Sequence, residues 1–216
     1  MNVSYLYVSF LVSFVLSGLA AFKRDVCKFT RHLQQKNVVL VYKSALPLVC
    51  FNTFLTVPGC IYVIRPFIPE DKEFNVLQIF MLPVYALLID VFFFTAHYAF
   101  HSKYLYPLHK IHHRFKQPVS ICALYAHPLE ILFGNILPLF GPLMLFPTSA
   151  PLVYLWIVFT TYETTFGAHS GVVDWGDDHD LHHRLFNVNY GTGLYLCDRI
   201  FGTYIHFKSK PVTQRP

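Results

Sequence analysis

The segment His97-Tyr98-Ala99-Phe100-His101 is followed by His109-Lys110-Ile111-His112-His113 and later by His179-Asp180-Leu181-His182-His183. These three clusters hold eight of the twelve histidines. Residues three or four apart share a helix face, so each cluster can direct imidazoles at one point. Adjacent histidines differ by about 100° around a helix and can serve two neighbouring ions. Because neutral imidazole is the commonest protein metal ligand, the clusters predict a site for more than one metal ion.

Chance does not account for the repeated His-x-x-His-His spacing. Histidine occupies 12 of 216 positions, so roughly 0.04 such segments are expected in the chain by counting template matches. The sequence contains two of them. A solvated basic face or helix-capping histidines would explain one cluster but not three.

The four remaining histidines carry weaker signals. His127 and His169 taken alone would be ordinary polar residues, but each borders a short apolar hairpin that faces the same site. We therefore expect both to join the eight clustered histidines as ligands. His32 and His206 have no clustered partner and are interpreted as structural.

The composition indicates an integral membrane protein. Hydrophobic residues make up 54% and charged residues 13% of the chain, against about 25% charged in soluble proteins. The length suits one domain, and the net charge of +5 follows from basic residues flanking apolar segments, which is typical of membrane proteins rather than nucleic-acid binders. The cysteines show no paired spacing and their number is odd, which favours free thiols; they are Cys27, Cys50, Cys60, Cys122 and Cys197.

Several apolar runs are long enough to cross or enter a bilayer. The first could also be a signal peptide, but its positive charges follow the run instead of preceding it, so we expect a retained span. The last two runs are separated by a Pro-containing turn and predict a helical hairpin. The runs are 3–22, 38–64, 76–96, 131–146 and 152–166.

Counting crossings places all clustered histidines on one membrane face. If the basic segment 23–31 is cytosolic, then 65–75 lies on the far side, and 97–130 is cytosolic again, in agreement with its own basic residues. The hairpin then returns the chain to the cytosol at His169. The sequence thus predicts an all-α fold, a membrane helical bundle of about four or five transmembrane or hairpin helices with a cytosolic histidine-rich di-metal cap. We expect N-terminal transmembrane helices in 1–75, a histidine-rich domain in 76–207 and a polar tail in 208–216.

The ligand type and number narrow the choice of metal. Imidazole nitrogen suits Zn, Cu, Fe and Ni. A single catalytic zinc needs about three protein ligands and a water, which is fewer than eight to ten histidines. Two irons fit the number better.

The pattern resembles the three histidine boxes of the fatty acid hydroxylase/sterol desaturase superfamily. The resemblance extends over about 90–203. The segment 124–130 is similar to the one that follows the second box in C-4 methylsterol monooxygenases and in fatty acid hydroxylase domain-containing protein 2. Glu163 with 169–171, then 189–191 and 198–203, resemble the segments around and after the third box.

The resemblance implies an O2-dependent, non-haem di-iron monooxygenase that oxidises a lipid C–H bond. The ten histidines would hold two Fe ions, and electrons from NAD(P)H would arrive through a separate cytochrome b5 or reductase. The implied location is the endoplasmic reticulum membrane. A C-4 methylsterol is the first expected substrate; a fatty acyl or sphingolipid chain, or a desaturation, is the alternative, and a non-catalytic metal-binding membrane protein is a further one.

Five polar residues are candidates for supporting the ligands from outside. Asp180, Glu130 and Glu163 could hydrogen-bond ligand N–H groups, although helix capping or surface ion pairs would also explain the two glutamates. Asp90 lies in an apolar run, where a carboxylate is costly unless paired, and His97 is a possible partner. Asn189 could approach a metal or cap a turn, and the turn is favoured.

Overall fold

A computed structural model of the chain describes residues 2–32, 35–68, 72–169 and 178–206. Within these ranges the chain is helical and contains no strand. The α-helices are α1 (Val3–His32), α2 (Gln35–Phe51), α3 (Val57–Ile64), α4 (Leu82–Phe100), α5 (Tyr106–His109), α6 (Pro128–Glu130), α7 (Leu137–Leu145), α8 (Ala150–Tyr162), α9 (Asp178–Leu185) and α10 (Leu196–Phe201). The all-α prediction is confirmed, while the polar tail 208–216 lies outside the described residues.

Among the residues that the structure describes, four helical stretches are long and apolar enough to cross a membrane, with mean hydropathies from 1.5 to 2.2. A helix satisfies its own backbone hydrogen bonds, as a bilayer requires, and large apolar side chains such as Phe54 and Phe80 point outward. The chain is therefore an integral membrane protein. The stretches are Val3–Val26, Val38–Phe67, Val76–Phe100 and Pro128–Leu145.

The described residues contain three π-helical segments: Asn52–Thr56 and Ile131–Ile136 each join two α-helices without a break, and Glu163–Gly167 continues α8. A π segment rotates the following helix and exposes backbone groups to side chains. The first one contains buried Asn52, whose amide donates to the carbonyls of Leu124 and Ala126 at 2.7 and 2.9 Å. This amide fixes the segment that leads to His127.

The helices pack as a bundle in which α1 lies on α8 and α4 lies on α7. At the α7–α8 contact the indole of Trp156 is fully buried and donates to the carbonyl of Leu139 at 2.9 Å. The ring of Tyr85 from α4 meets Trp156 edge-on. Sequence-adjacent α7 and α8 thus form the expected helical hairpin, and its first arm is itself part of a candidate span.

A buried carboxylate fixes one end of α1. Asp25 is fully buried and accepts hydrogen bonds from the Tyr42 hydroxyl at 2.7 Å and from the Ser120 hydroxyl at 2.8 Å. The neighbouring guanidinium of Arg24 donates to the Phe166 carbonyl and lies over the Phe166 ring. This network ties α1 to the two segments that flank the histidine-rich end of the bundle.

Asp90 has a different partner from the one expected. Its carboxylate is fully buried and accepts from the backbone N–H groups of Leu196 and Cys197 at 3.3 and 3.0 Å. It therefore binds the first turn of α10, where unpaired N–H groups favour an anion. The suggested pairing with His97 is wrong, because the His97 ring is engaged elsewhere.

Candidate metal centre

Nine histidines converge in two groups at one end of the bundle. The ligand nitrogens within each group lie within 4.8 Å of one another. The five-histidine group contains His97, His101, His109, His113 and His182. The four-histidine group contains His112, His169, His179 and His183. The adjacent pairs 112–113 and 182–183 each send one ring to each group.

The helices explain this division. His97 and His101 lie one turn apart at the end of α4, and His179, His182 and His183 lie on two faces of α9. His169 follows the π segment after α8 and joins only the four-histidine group. Four separate stretches of chain therefore supply the nitrogens.

In each ring, the nitrogen that faces away from the other histidines is called the outer nitrogen. Hydrogen bonds to the outer nitrogens define the tautomers. Nδ1 of His97 lies 2.7 Å from the Tyr190 carbonyl and Nδ1 of His182 lies 2.6 Å from the Val188 carbonyl. A carbonyl only accepts, so each Nδ1 carries the proton and each Nε2 offers a lone pair. Nδ1 of His109 likewise faces Glu130 Oε1 at 2.7 Å.

The inner nitrogens fit a cation better than they fit one another. Nε2 of His109 lies 2.9 to 3.1 Å from Nε2 of His97, His101 and His113. One ring nitrogen makes a single in-plane hydrogen bond and cannot satisfy three neighbours. Convergent imidazole lone pairs at this separation are the arrangement that a metal ion requires.

Burial keeps these rings neutral. Desolvation lowers the pKa of His101 and His169 to about 4. Desolvation, with the nearby His101 ring, lowers the pKa of His182 to about 3. Metal ligation needs the neutral form, so at neutral pH the rings are ready to bind an ion without losing a proton.

The acidic candidates separate into those at the centre and those away from it. Glu130 is buried, binds His109 through Oε1, and has no partner for Oε2 among the described residues. Asp180 is buried within α9. Glu163 is exposed and lies against Gly167, away from both groups. Of the two glutamates, the structure brings only Glu130 to the histidines.

Two further candidates have structural contacts instead. His127 is partly exposed, lies outside both groups, and accepts from the Leu129 N–H at 3.2 Å as the N-cap of α6. Asn189 adopts a positive φ of 52° and bonds the backbone of Asp178 and Ile205. The turn interpretation of Asn189 fits these bonds, and His127 does not join the other histidines as expected.

The two isolated histidines lie outside the site as far as they are described, and some supporting contacts were not predicted from the sequence. His206 lies 3.2 Å from Asp178 and outside both groups, whereas the side chain of His32 is not described. The carbonyls of Tyr190 and Val188 were not anticipated, because a backbone group has no signature in a sequence. Asp198, which accepts from the N–H groups of Tyr190 and Gly191, was visible only as part of a closing motif.

A cavity connects the histidines to the membrane-spanning helices. It contains about 980 Å³ of empty space, including its open mouth. Both groups contribute to its polar end, and the apolar end is formed by α1, α4 and α7. Its lining includes His112, His169, His179, Phe10, Phe14, Leu139, Thr161 and Thr165.

Comparisons with known proteins match this region. The model of the family described as fatty acid hydroxylase matches residues 82–203. Methylsterol monooxygenase 2-2 of Arabidopsis thaliana is 34% identical over 152 residues, 63% of this chain and 55% of that protein. Very-long-chain aldehyde decarbonylase GL1-11 of Oryza sativa subsp. indica is 36% identical over 135 residues, 55% of this chain and 50% of that protein.

A human relative extends the similarity toward the N-terminus. Fatty acid hydroxylase domain-containing protein 2 of Homo sapiens is 28% identical over 185 residues, 80% of this chain and 55% of that protein. The chain spans about half the length of these three relatives. No solved structure matches it.

Proposed function

Because this chain belongs to the fatty acid hydroxylase family, we propose that it is a membrane-bound non-haem di-iron oxygenase that oxidises a C–H bond of a lipid. The observation that supports this most directly is the pair of histidine groups at the polar end of a cavity that continues between apolar helices. Imidazole-only ligation by nine rings fits two irons better than a single zinc.

Each histidine group would hold one iron. His97, His101, His109, His113 and His182 would bind the first ion, and His112, His169, His179 and His183 would bind the second. When bound, the irons would supply O2 activation and hydrogen removal from carbon. The balanced hydroxylation is R–H + O2 + 2 electrons + 2 protons giving R–OH + H2O. The electrons require a donor, for which we propose a separate cytochrome b5 or reductase supplied by NAD(P)H.

The protein's own residues position the ligands and keep water out. The carbonyls of Tyr190 and Val188 and the carboxylate of Glu130 each fix one imidazole. Of the nine rings only His101 is more than slightly accessible. Such burial limits side reactions of a reactive oxidant with water.

The proposed substrate is a C-4 methylsterol. The similarity to methylsterol monooxygenase 2-2 supports it. The similarity to a very-long-chain aldehyde decarbonylase supports a long acyl chain as the second candidate. In the proposed topology 1–75 forms N-terminal membrane helices, and 76–207 presents the metal centre to the cytosol at the endoplasmic reticulum.

Lipid analysis in a host that lacks its own sterol C-4 oxidase tests the proposal. The wild-type chain and a His182→Ala variant would be expressed with and without O2. Restored C-4-demethylated sterol, absent with the variant, is the result expected; 2-hydroxy acyl lipids would favour the second candidate. If no lipid product depended on both O2 and His182, the oxygenase proposal would be wrong and a non-catalytic metal-binding role would be favoured.

A further inference from the structure

Four threonines lie on α8 and the π segment that follows it, and all four border the cavity. Two of them use their hydroxyls within the helix. Thr160 Oγ1 donates to the Trp156 carbonyl and Thr164 Oγ1 to the Thr160 carbonyl, at 2.7 and 2.8 Å. Such bonding to the carbonyl four residues earlier is how a threonine hydroxyl is satisfied inside an apolar helix.

Thr161 and Thr165 behave differently. Their residues are only 6% and 1% exposed. Among the residues that the structure describes, neither hydroxyl has a hydrogen-bond partner. They stand one turn apart and face the cavity together. Neither oxygen is among the fully enclosed side-chain atoms that lack a partner, so both open into the cavity. A hydroxyl that faces an apolar cavity costs free energy unless the occupant of the cavity bonds it, which indicates a ligand that completes their bonding.

The position of this pair relates the ligand to the metal centre. Thr165 precedes His169 by four residues, about one helical turn, and the ring of His169 belongs to the four-histidine group. The other end of the cavity is apolar. Phe10 and Phe14 of α1 stack with ring centroids 5.8 Å apart and line the cavity, as does Leu139 of α7. The cavity is thus polar beside the histidines and apolar toward the membrane-spanning helices.

We propose that Thr161 and Thr165 hydrogen-bond an oxygen of the lipid substrate, so that the carbon to be oxidised lies within a few bonds of an oxygen-bearing group. The hydrocarbon remainder occupies the end lined by Phe10 and Phe14. This inference rests on the proposed oxygenase function and adds the substrate class to it. A sterol hydroxyl next to the ring carbon and an acyl carbonyl next to the chain carbon share this chemistry, whereas oxidation in the middle of an alkyl chain does not use it.

Binding to the purified full chain tests this proposal without requiring turnover. Two probe pairs, each with and without the oxygen, would compete with a fluorescent lipid in nanodiscs. They are 4,4-dimethylcholestan-3β-ol with 4,4-dimethylcholestane, and hexadecan-2-one, whose carbonyl stands for that of an acyl chain, with hexadecane. We expect the oxygen-bearing member of at least one pair to bind about tenfold more tightly, the effect of two neutral hydrogen bonds at about 0.7 kcal/mol each. The pair that discriminates identifies a sterol or an acyl substrate.

Matched threonine variants locate the effect. Thr161→Val with Thr165→Val should abolish the preference, whereas Thr161→Ser with Thr165→Ser should keep it because the hydroxyls remain. Thr160→Val with Thr164→Val is the control, since those hydroxyls bond the helix; it should also keep the preference. Equal binding within both pairs by the wild type, or an equal loss in the control, would overturn the proposal. If the preference holds but no lipid is oxidised, the subsite stands and the oxygenase function fails.

Discussion

The five-histidine group and the four-histidine group differ in how their outer ring nitrogens are held. In the first, three rings have close outer partners at 2.6 to 2.7 Å, two backbone carbonyls and one carboxylate. In the second, His169 has a comparable contact with the Thr164 carbonyl at 2.7 Å, but Nδ1 of His112 lies 3.4 Å from its carbonyl. Neither nitrogen of His183 has a partner among the described residues.

The two groups also differ in what they face. Three of the four rings in the smaller group line the cavity, namely His112, His169 and His179, whereas in the larger group only two of the five rings do, namely His97 and His109. Outer hydrogen bonds orient a ligand and strengthen its binding to metal, whereas a catalytic ion needs a coordination position left open. If the two proposed ions are bound, the difference predicts a more firmly held ion in the five-histidine group and an ion closer to the cavity in the four-histidine group.

The largest effect is expected from replacing one histidine of an adjacent pair, because each replacement removes a ligand from only one group. His182→Ala removes a ligand from the five-histidine group and His183→Ala removes one from the four-histidine group. We expect each variant to lose lipid oxidation and to retain about one iron per chain in place of two, because a lost ligand leaves one site incomplete. Iron analysis of the purified variants, together with product measurement, checks this.

His127→Ala is the control for these two variants, because His127 lies outside both groups. It should keep two irons and its activity, with only a small loss of stability from the missing helix cap, about 1 kcal/mol. Loss of an iron in His127→Ala would show that a tenth histidine ligates after all, as the sequence led us to expect.

Chelation should remove the two irons in sequence. Because Nδ1 of His112 lies 3.4 Å from its acceptor and His183 has no partner among the described residues, the four-histidine group should lose its ion first, at a chelator concentration on the order of 10-fold lower. The titration of bound iron would then show two steps. In His183→Ala only the tighter step should remain, and in His182→Ala only the weaker one. A single step in the wild type, with both ions lost together, would contradict the inferred difference.

The sequence predicted the histidine groups well because helical spacing alone decides which rings share a face. The division of 112 from 113 and of 182 from 183 follows from adjacency, and the membrane spans follow from apolar run length. The outer contacts could not be predicted in the same way. The carbonyls that orient His97 and His182 are backbone atoms placed by a loop, and Glu130 and Glu163 look alike in sequence although only Glu130 reaches a ring.

The same two glutamates provide a matched test of outer support. Glu130→Gln replaces the carboxyl group that contacts Nδ1 of His109 with an amide and should weaken iron binding at the five-histidine group by about 10- to 100-fold. Glu163→Gln changes an exposed side chain away from both groups and should leave both chelation steps in place. The measurement is again the two-step titration. If Glu130→Gln shifted the weaker step instead, Glu130 would support the four-histidine group and this prediction would be wrong.

A smaller effect is expected from replacing Asp198, whose carboxylate holds the backbone of Tyr190. Asp198 is fully buried and accepts from the N–H groups of Tyr190 and Gly191 at 2.8 and 2.6 Å. Asp198→Asn replaces one carboxylate oxygen, an acceptor, with an amide NH2 group that faces a backbone N–H donor. The lost hydrogen bond should lower the free energy of unfolding by about 1–3 kcal/mol. Because Tyr190 orients His97, the tighter chelation step should shift slightly as well.

Asp25→Asn separates this local effect from a general loss of stability. Asp25 is equally buried and also accepts several hydrogen bonds, but its network contacts Phe166, on the side of His169. Both variants should lower the thermal unfolding temperature by similar amounts. Only Asp198→Asn should shift the tighter step of the chelator titration. Any shift that Asp25→Asn causes should be in the weaker step. Equal shifts of both steps in both variants would mean that stability alone, rather than the support of individual rings, governs how firmly each iron is held.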